Sequence, residues 1–135
     1  MNALYHAHSG LRYLVLLAAV VAIVVLGYGL ATGRRLAATR AVTASFTGLL
    51  DLQVLLGLAL VLGGMLTDRA TGHLIMMMLA LVVAHGASII AGKSTYERRE
   101  LTVRLIGIVL SLAIIVGGIM AIGRSVLGSM PPSVG

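Results

Sequence analysis

Apolar residues run in four long blocks along the chain, and polar residues gather in the short stretches between them. None of the blocks alternates with the period of two that marks a strand. Each is close to the roughly 20 residues that an α-helix needs to cross a hydrocarbon layer. The pattern predicts spans over about residues 11–32, 41–66, 73–92 and 105–127. The connections at 33–40, 67–72 and 93–104 are short, and short connections force sequential helices to lie antiparallel. The expected fold class is an all-α integral membrane protein, a four-helix up-down-up-down transmembrane bundle forming one domain over residues 1–135. A transmembrane barrel of about eight or more alternating strands does not fit this pattern. Residues 129–135, with Pro131 and Pro132, are expected to end outside the bilayer.

Composition supports a lipid solvent. Hydrophobic residues make up 59% of the chain, charged residues 10%, and the mean hydropathy is +1.08. A soluble domain carries about 25% charged residues to cover its surface. There is no cysteine, which excludes disulfides, c-type haem attachment, iron–sulfur clusters and a cysteine nucleophile. Residues 1–10 hold no Lys or Arg, and the first apolar run is too long for a signal peptide, so a retained helix is expected.

The net charge is +6. In a soluble protein that would suggest nucleic acid. Here the cations concentrate in two loops, as Arg34, Arg35 and Arg40, and as Lys93, Arg98, Arg99 and Arg104. The other side holds Arg12, Arg69 and Arg124. The expected partner is the lipid bilayer, with no nucleic acid. The positive-inside rule places the two basic loops in the cytoplasm and both termini outside. Tyr5 and Tyr13 then sit at the outer interface, Tyr28 and Tyr96 at the inner one. A composition rich in Ala, Gly, Val, Leu and Arg, with one Lys, points to a GC-rich bacterial genome and so to a bacterial inner membrane.

Lipid gives helices no hydrophobic drive to associate, so small residues are expected at their contacts. Gly117 with Ala121 makes one such pair, and Ala80, Ala84 and Ser88 another ridge. Gly63-Gly64 and Gly117-Gly118 read as packing sites or kinks.

Candidate chemistry rests on seven polar residues: His6, His8, Arg12, Asp51, Gln53, His73 and His85. An aspartate at the centre of a span costs about 2.5–3.5 kcal/mol on insertion scales, so such groups face protein and find partners. His8 stands before the first span and His73 opens the third, which runs in the same direction. The two should lie near the outer face at similar height. Two neutral imidazoles on neighbouring helices are the usual axial ligands of haem b. Arg12, four residues after His8, shares its helical face and can hold a propionate bidentately. One reading is therefore a haem b site with His8 and His73 on iron and Arg12 on a propionate. The other is that interfacial histidine and arginine are ordinary near helix ends.

His85 lies twelve residues beyond His73, about 18 Å deeper and about 120° around the helix, so one cofactor cannot take both. Asp51 falls near the height of His85 and is its expected hydrogen-bonding partner. Thr43, Thr47 and Asp51 form a stripe expected to face the bundle interior. Gln53, about 200° around from Asp51, looks elsewhere. The Asp51–His85 pair reads equally as a proton relay, as part of a quinone pocket or as a buried specificity pair. Met76, Met77 and Met78 point in three directions, so they read as core or lipid packing. No nucleophile with its base, carboxylate pair or phosphate-binding glycine loop is present, and no enzyme is expected.

Three segments carry a family resemblance: His8-Ser9-Gly10-Leu11-Arg12-Tyr13-Leu14-Val15-Leu16, Leu52-Gln53-Val54-Leu55-Leu56-Gly57, and Gly72-His73 through Met76-Met77 to His85-Gly86. With them the chain resembles small bacterial four-helix membrane proteins that open with H-S-G-L-R-aromatic and are often labelled cytochrome b-like. The resemblance implies a haem or quinone setting in an electron-transport membrane, with His8, His73 and His85 at matching positions. The family's second helix often carries a histidine where this chain has Asp51. That implies a missing ligand for an inner haem and leaves an outer one. The expected function is a small electron-transport protein with one haem near the outer face, exchanging electrons with quinol or a larger complex. The alternative is a non-catalytic structural subunit of a respiratory or photosynthetic complex without its own cofactor. A small transporter has little room in four spans without an inverted repeat.

Overall fold

The computed structural model describes residues 2–124, 126 and 127. The chain forms four helices: α1 Asn2–Thr32, α2 Thr39–Leu62, α3 Asp68–Gly92 and α4 Glu97–Ala121. All four are long and apolar enough to cross a membrane. They pack in a ring, α1 on α2, α2 on α3, α3 on α4 and α4 on α1. This is the four-helix bundle that the hydropathy pattern predicts. The expected tail at 129–135 lies outside the described residues.

The helices and the apolar blocks do not share ends. Hydropathy marks where charge stops, whereas a helix ends where its hydrogen-bond ladder is capped or broken. α1 begins at Asn2 rather than near residue 11, so His6, His8 and Ser9 are already helical. α3 begins at Asp68 because the Thr67 hydroxyl accepts the Ala70 backbone N–H at 3.1 Å, and Asp68 favours the positive end of the helix dipole. α4 begins at Glu97, with Glu97 and Glu100 in its first turn. α2 stops at Leu62, short of residue 66, where Gly64 takes a φ of +96°. α4 stops at Ala121, short of residue 127, where Gly123 takes a φ of +74°. A left-handed residue after the last turn is a glycine role, because a Cβ is strained there.

The core is built from Val15, Ala19, Ala22 and Leu26 of α1, Phe46, Leu50 and Val54 of α2, Met77, Ala80 and Ala84 of α3, and Leu101, Ile108, Ile115 and Ile119 of α4. The α3–α4 seam is the most extensive and the α2–α3 seam the thinnest. Ala80 and Ala84 are buried in the α3–α4 seam, as expected of that ridge, with Ser88 half-buried. The Ser111 hydroxyl donates to the Ala80 carbonyl at 3.1 Å. The expected Gly117–Ala121 pair is a correction. Both residues are exposed, and the buried neighbour Gly118 makes the close approach instead, beside Met76 and Met77. Adjacent residues differ by about 100° around a helix, and the spacing of small residues could not decide which one faced α3.

Gly107 is the tighter contact. A Cβ there would overlap the Ala87 Cβ, which belongs to a rigid residue that cannot swing away. Gly107→Ala should destabilise the protein by about 1–3 kcal/mol through overpacking. Gly117→Ala, with only Met76 Cε nearby at 3.8 Å, should be neutral or slightly stabilising. Thermal unfolding in detergent, followed by circular dichroism, compares the two. Equal midpoints would remove Gly107 from the seam.

Candidate functional site

One end of the bundle gathers the start of α1, the α2–α3 turn and the end of α4. A cavity of about 290 Å3 opens there between all four helices, near the lower bound of ligand pockets. Its deep walls are Val15, Leu50, Met77, Ile115 and Ile119. Into this apolar space project His8 from α1, Gln53 from α2 and His73 from α3.

Each imidazole is held by a second helix. The His73 Nδ1 lies 3.1 Å from the Gly118 carbonyl of α4. A carbonyl only accepts, so Nδ1 carries the proton, and in the neutral ring Nε2 presents a lone pair. The His8 ring packs against Gly57 of α2, where a Cβ would stand 3.1 Å from its Cε1. Gln53, only 8% exposed, donates from Nε2 to the His8 carbonyl at 3.0 Å and approaches the His8 Nε2 at 3.3 Å. The centres of the two imidazoles are 6.5 Å apart and their planes are nearly perpendicular, at 88°.

Three buried polar atoms around this layer, His8 Nδ1, Ser9 Oγ and Gln53 Oε1, make no hydrogen bond among the described residues. Buried polar atoms are rarely left so, and a group of them beside a cavity marks a place for a bound group or water. Three arginines line the cavity: Arg12, Arg69 and Arg124. Arg12 is 9% exposed and donates to the Tyr13 hydroxyl at 2.8 Å. Because α1 starts at Asn2, His8 and Arg12 do share one helical face. Arg124 donates to the Tyr5 hydroxyl and stacks over its ring at 5.3 Å. No acidic side chain lines the cavity among the described residues.

His6 is exposed and meets the Tyr5 ring edge-on. Asp51 and His85 lie apart from the cavity, with His85 Nε2 and Asp51 Oδ1 2.7 Å apart. Their setting corrects one expectation. The Thr43–Thr47–Asp51 stripe does not stay in the interior: Thr43 is buried and Thr47 half-buried, but the Asp51 side chain is 42% exposed and that of His85 48%. Each step of four residues turns about 40° around a helix. By Asp51 the stripe has reached the flank of α2, over the thin α2–α3 seam. Of the three methionines, Met77 is buried and lines the cavity, Met76 is half-buried and Met78 exposed.

Gln53, singled out from the sequence but not placed in the site, and Gly57, Gly118 and Arg124, which sequence reasoning missed, also belong to the site. The first two carried a signal: Leu50, Gln53, Val54 and Gly57 follow the i, i+3, i+4, i+7 spacing of one face. Arg124 follows the end of α4, where helical phase says nothing about direction.

No family model, curated protein or solved structure matches the chain.

Proposed function

We propose that the chain is a small electron-transport protein of the bacterial inner membrane, b-type-cytochrome-like, that binds one haem b between His8 and His73. The observation that carries this reading is the His73 ring, turned by the Gly118 carbonyl so that Nε2 faces away from its partner. Metal-ligating histidines are oriented by this kind of second hydrogen bond. Opposite stands His8, with ring centres 6.5 Å apart. At that separation His8 and His73 are the residues that would hold one metal, each through a ring nitrogen at about 2 Å. The arginines suit the propionates, since guanidinium pairs with carboxylate through two parallel hydrogen bonds. Apolar walls with three arginines and no acidic side chain among the described lining residues suit an apolar group with an anionic edge.

In this reading His8 and His73 take the iron, and Arg12 and Arg124 the propionates. Haem supplies one-electron exchange. The chain's residues would set its surroundings: Val15, Leu50, Ile115 and Ile119 would exclude water, and the Gln53 amide, bonded to the His8 carbonyl and 3.3 Å from His8 Nε2, would position that imidazole. The basic α1–α2 and α3–α4 connections support a cavity at the outer face through the positive-inside rule, and in this reading quinol or a larger complex is the exchange partner.

A dithionite-reduced minus oxidised spectrum of the purified protein should show a b-type α-band. A flat spectrum from intact protein would overturn the reading and leave a cofactor-free structural subunit of a larger complex. The orientation has its own test in this cysteine-free chain. Ala37→Cys, in the exposed α1–α2 connection, should resist an impermeant thiol reagent applied to the periplasmic side, and Met65→Cys should react. The reverse pattern would invert the topology.

A further inference from the structure

Asp51 and His85 break the usual pattern for polar groups in membrane-length helices. Such groups face protein or water, because hydrocarbon offers them no partner. Asp51 is the thirteenth of the 24 residues of α2, midway along a helix long enough to span. Yet both side chains are more than two-fifths exposed. Their mutual hydrogen bond uses one atom of each, His85 Nε2 and Asp51 Oδ1. Asp51 Oδ2 and His85 Nδ1 make no hydrogen bond among the described residues. One carboxylate oxygen and one ring nitrogen of this exposed pair are thus left without a protein partner at mid-span among the described residues.

We propose that the α2–α3 face is where two copies of this chain pair. The argument for a second copy, rather than another partner, is charge complementarity. The acid stands on α2 and the base on α3, side by side. A twofold axis along the membrane normal keeps every residue at its own depth and lays α2 of one copy against α3 of the other. Asp51 then meets the second copy's base, and His85 the second copy's acid. With two protons per Asp51–His85 pair, one in the Nε2–Oδ1 contact and one on Nδ1, two Nδ1–H to Oδ2 hydrogen bonds between copies close a ring of alternating acids and bases, with no polar atom of the pair left to lipid.

A separate feature of α2 permits the approach. Ala44 and Gly48 are exposed on the same side of α2 as Asp51, and a Cβ on Gly48 would meet nothing within 4 Å. Small residues at a membrane helix surface let backbones come close, and packing is the main drive for association in lipid. The face is apart from His8 and His73, so the pairing stands or falls independently of the haem reading.

The test uses two differently tagged copies of the full chain in lipid vesicles, with association read by energy transfer across a range of lipid-to-protein ratios. Wild type should pair with itself. Asp51→His and His85→Asp, each alone, should weaken self-association at least tenfold. Mixed together they should recover pairing, because each copy then supplies what the other lacks. The double variant Asp51→Leu with His85→Leu removes the polar pair from lipid without harming the helices, and should be monomeric. A thiol-to-thiol cross-linker on Gly48→Cys should join two copies, while Val20→Cys, exposed on α1, should not. The proposal fails if wild type stays monomeric at every ratio or if the single variants pair as well as wild type. It also fails if the mixture pairs no better than either variant alone, or if residue 48 cross-links only to a chain of different mass.

Discussion

Replacing His73 with alanine should abolish the b-type α-band, and His8→Ala should abolish it too, while His85→Ala leaves it unchanged. The two cavity histidines come from α1 and α3, with ring centres 6.5 Å apart, and in the proposed site each would supply one nitrogen to the iron. Loss of either would leave the proposed haem with one protein ligand in place of two. His85 is on the flank of α3, bonded to Asp51 at 2.7 Å, and does not line the cavity. Arg12→Gln should retain the band but weaken haem retention, because a propionate partner is lost while the ligands remain. These losses should come without unfolding: helical circular dichroism of all three histidine variants should match wild type. If His85→Ala removes the band and His73→Ala does not, the ligand assignment is wrong.

The second large effect belongs to the opposite end of the bundle. Glu100→Ala should destabilise the fold by about 3–5 kcal/mol, the usual cost of leaving one member of a buried ion pair without the other. Glu100 and Arg104 occupy successive turns of α4, with side chains only 8% and 9% exposed. Arg104 Nη2 lies 3.0 Å from Glu100 Oε1, its Nη1 donates to the Thr43 hydroxyl of α2 at 3.2 Å, and Arg35 reaches Glu100 Oε2 at 3.4 Å. One carboxylate thus ties the α1–α2 connection and α2 to the start of α4. Removing it leaves the Arg104 guanidinium buried with a hydroxyl as its remaining partner. Removing both charges together, as Glu100→Leu with Arg104→Met, should return stability to within about 1 kcal/mol of wild type, because well-packed apolar replacements offset a lost buried pair. Thr43 tolerates the change, since its hydroxyl also donates to the Thr39 carbonyl at 2.9 Å. Denaturant titration in detergent measures both variants. A Glu100→Ala loss below about 1 kcal/mol would show that water, not Glu100, balances Arg104.

Arg104 and Glu100 illustrate how far sequence carries. From composition they are loop charges beside an apolar span, and as cations Arg35 and Arg104 serve the topology argument well. Their burial was hidden because a hydropathy profile registers charge, not whether an acid four residues earlier neutralises it on one helical face. The candidate site divides in the same way. The shared height of His8 and His73 follows from counting residues along two parallel spans. That Gly118 turns one ring, that Gly57 makes room for the other and that Gln53 lies between chain and ring depend on the rotation of α2 and α4 about their own axes. Asp51 shows the limit most plainly. Its depth and its nearness to His85 are matters of counting, but its exposure depends on how far α2 has turned and how thin the α2–α3 seam is.

The sequence alone determined the number of helices, their membrane-spanning length, their antiparallel order and the two heights at which polar chemistry sits. These follow from the hydrophobic cost of putting charge in lipid and from the fixed rise per residue, both of which are properties of a helix taken singly. Only the tertiary structure decided where each helix ends, which of two adjacent glycines meets α3, that Gln53, Arg69 and Arg124 join the cavity, and that the Asp51–His85 pair lies open on the bundle's flank. Those outcomes depend on the axial rotation and spacing of four packed helices. Rotation is set by close contacts such as Gly107 against Ala87, between residues far apart in the chain, and no periodicity along one helix encodes it.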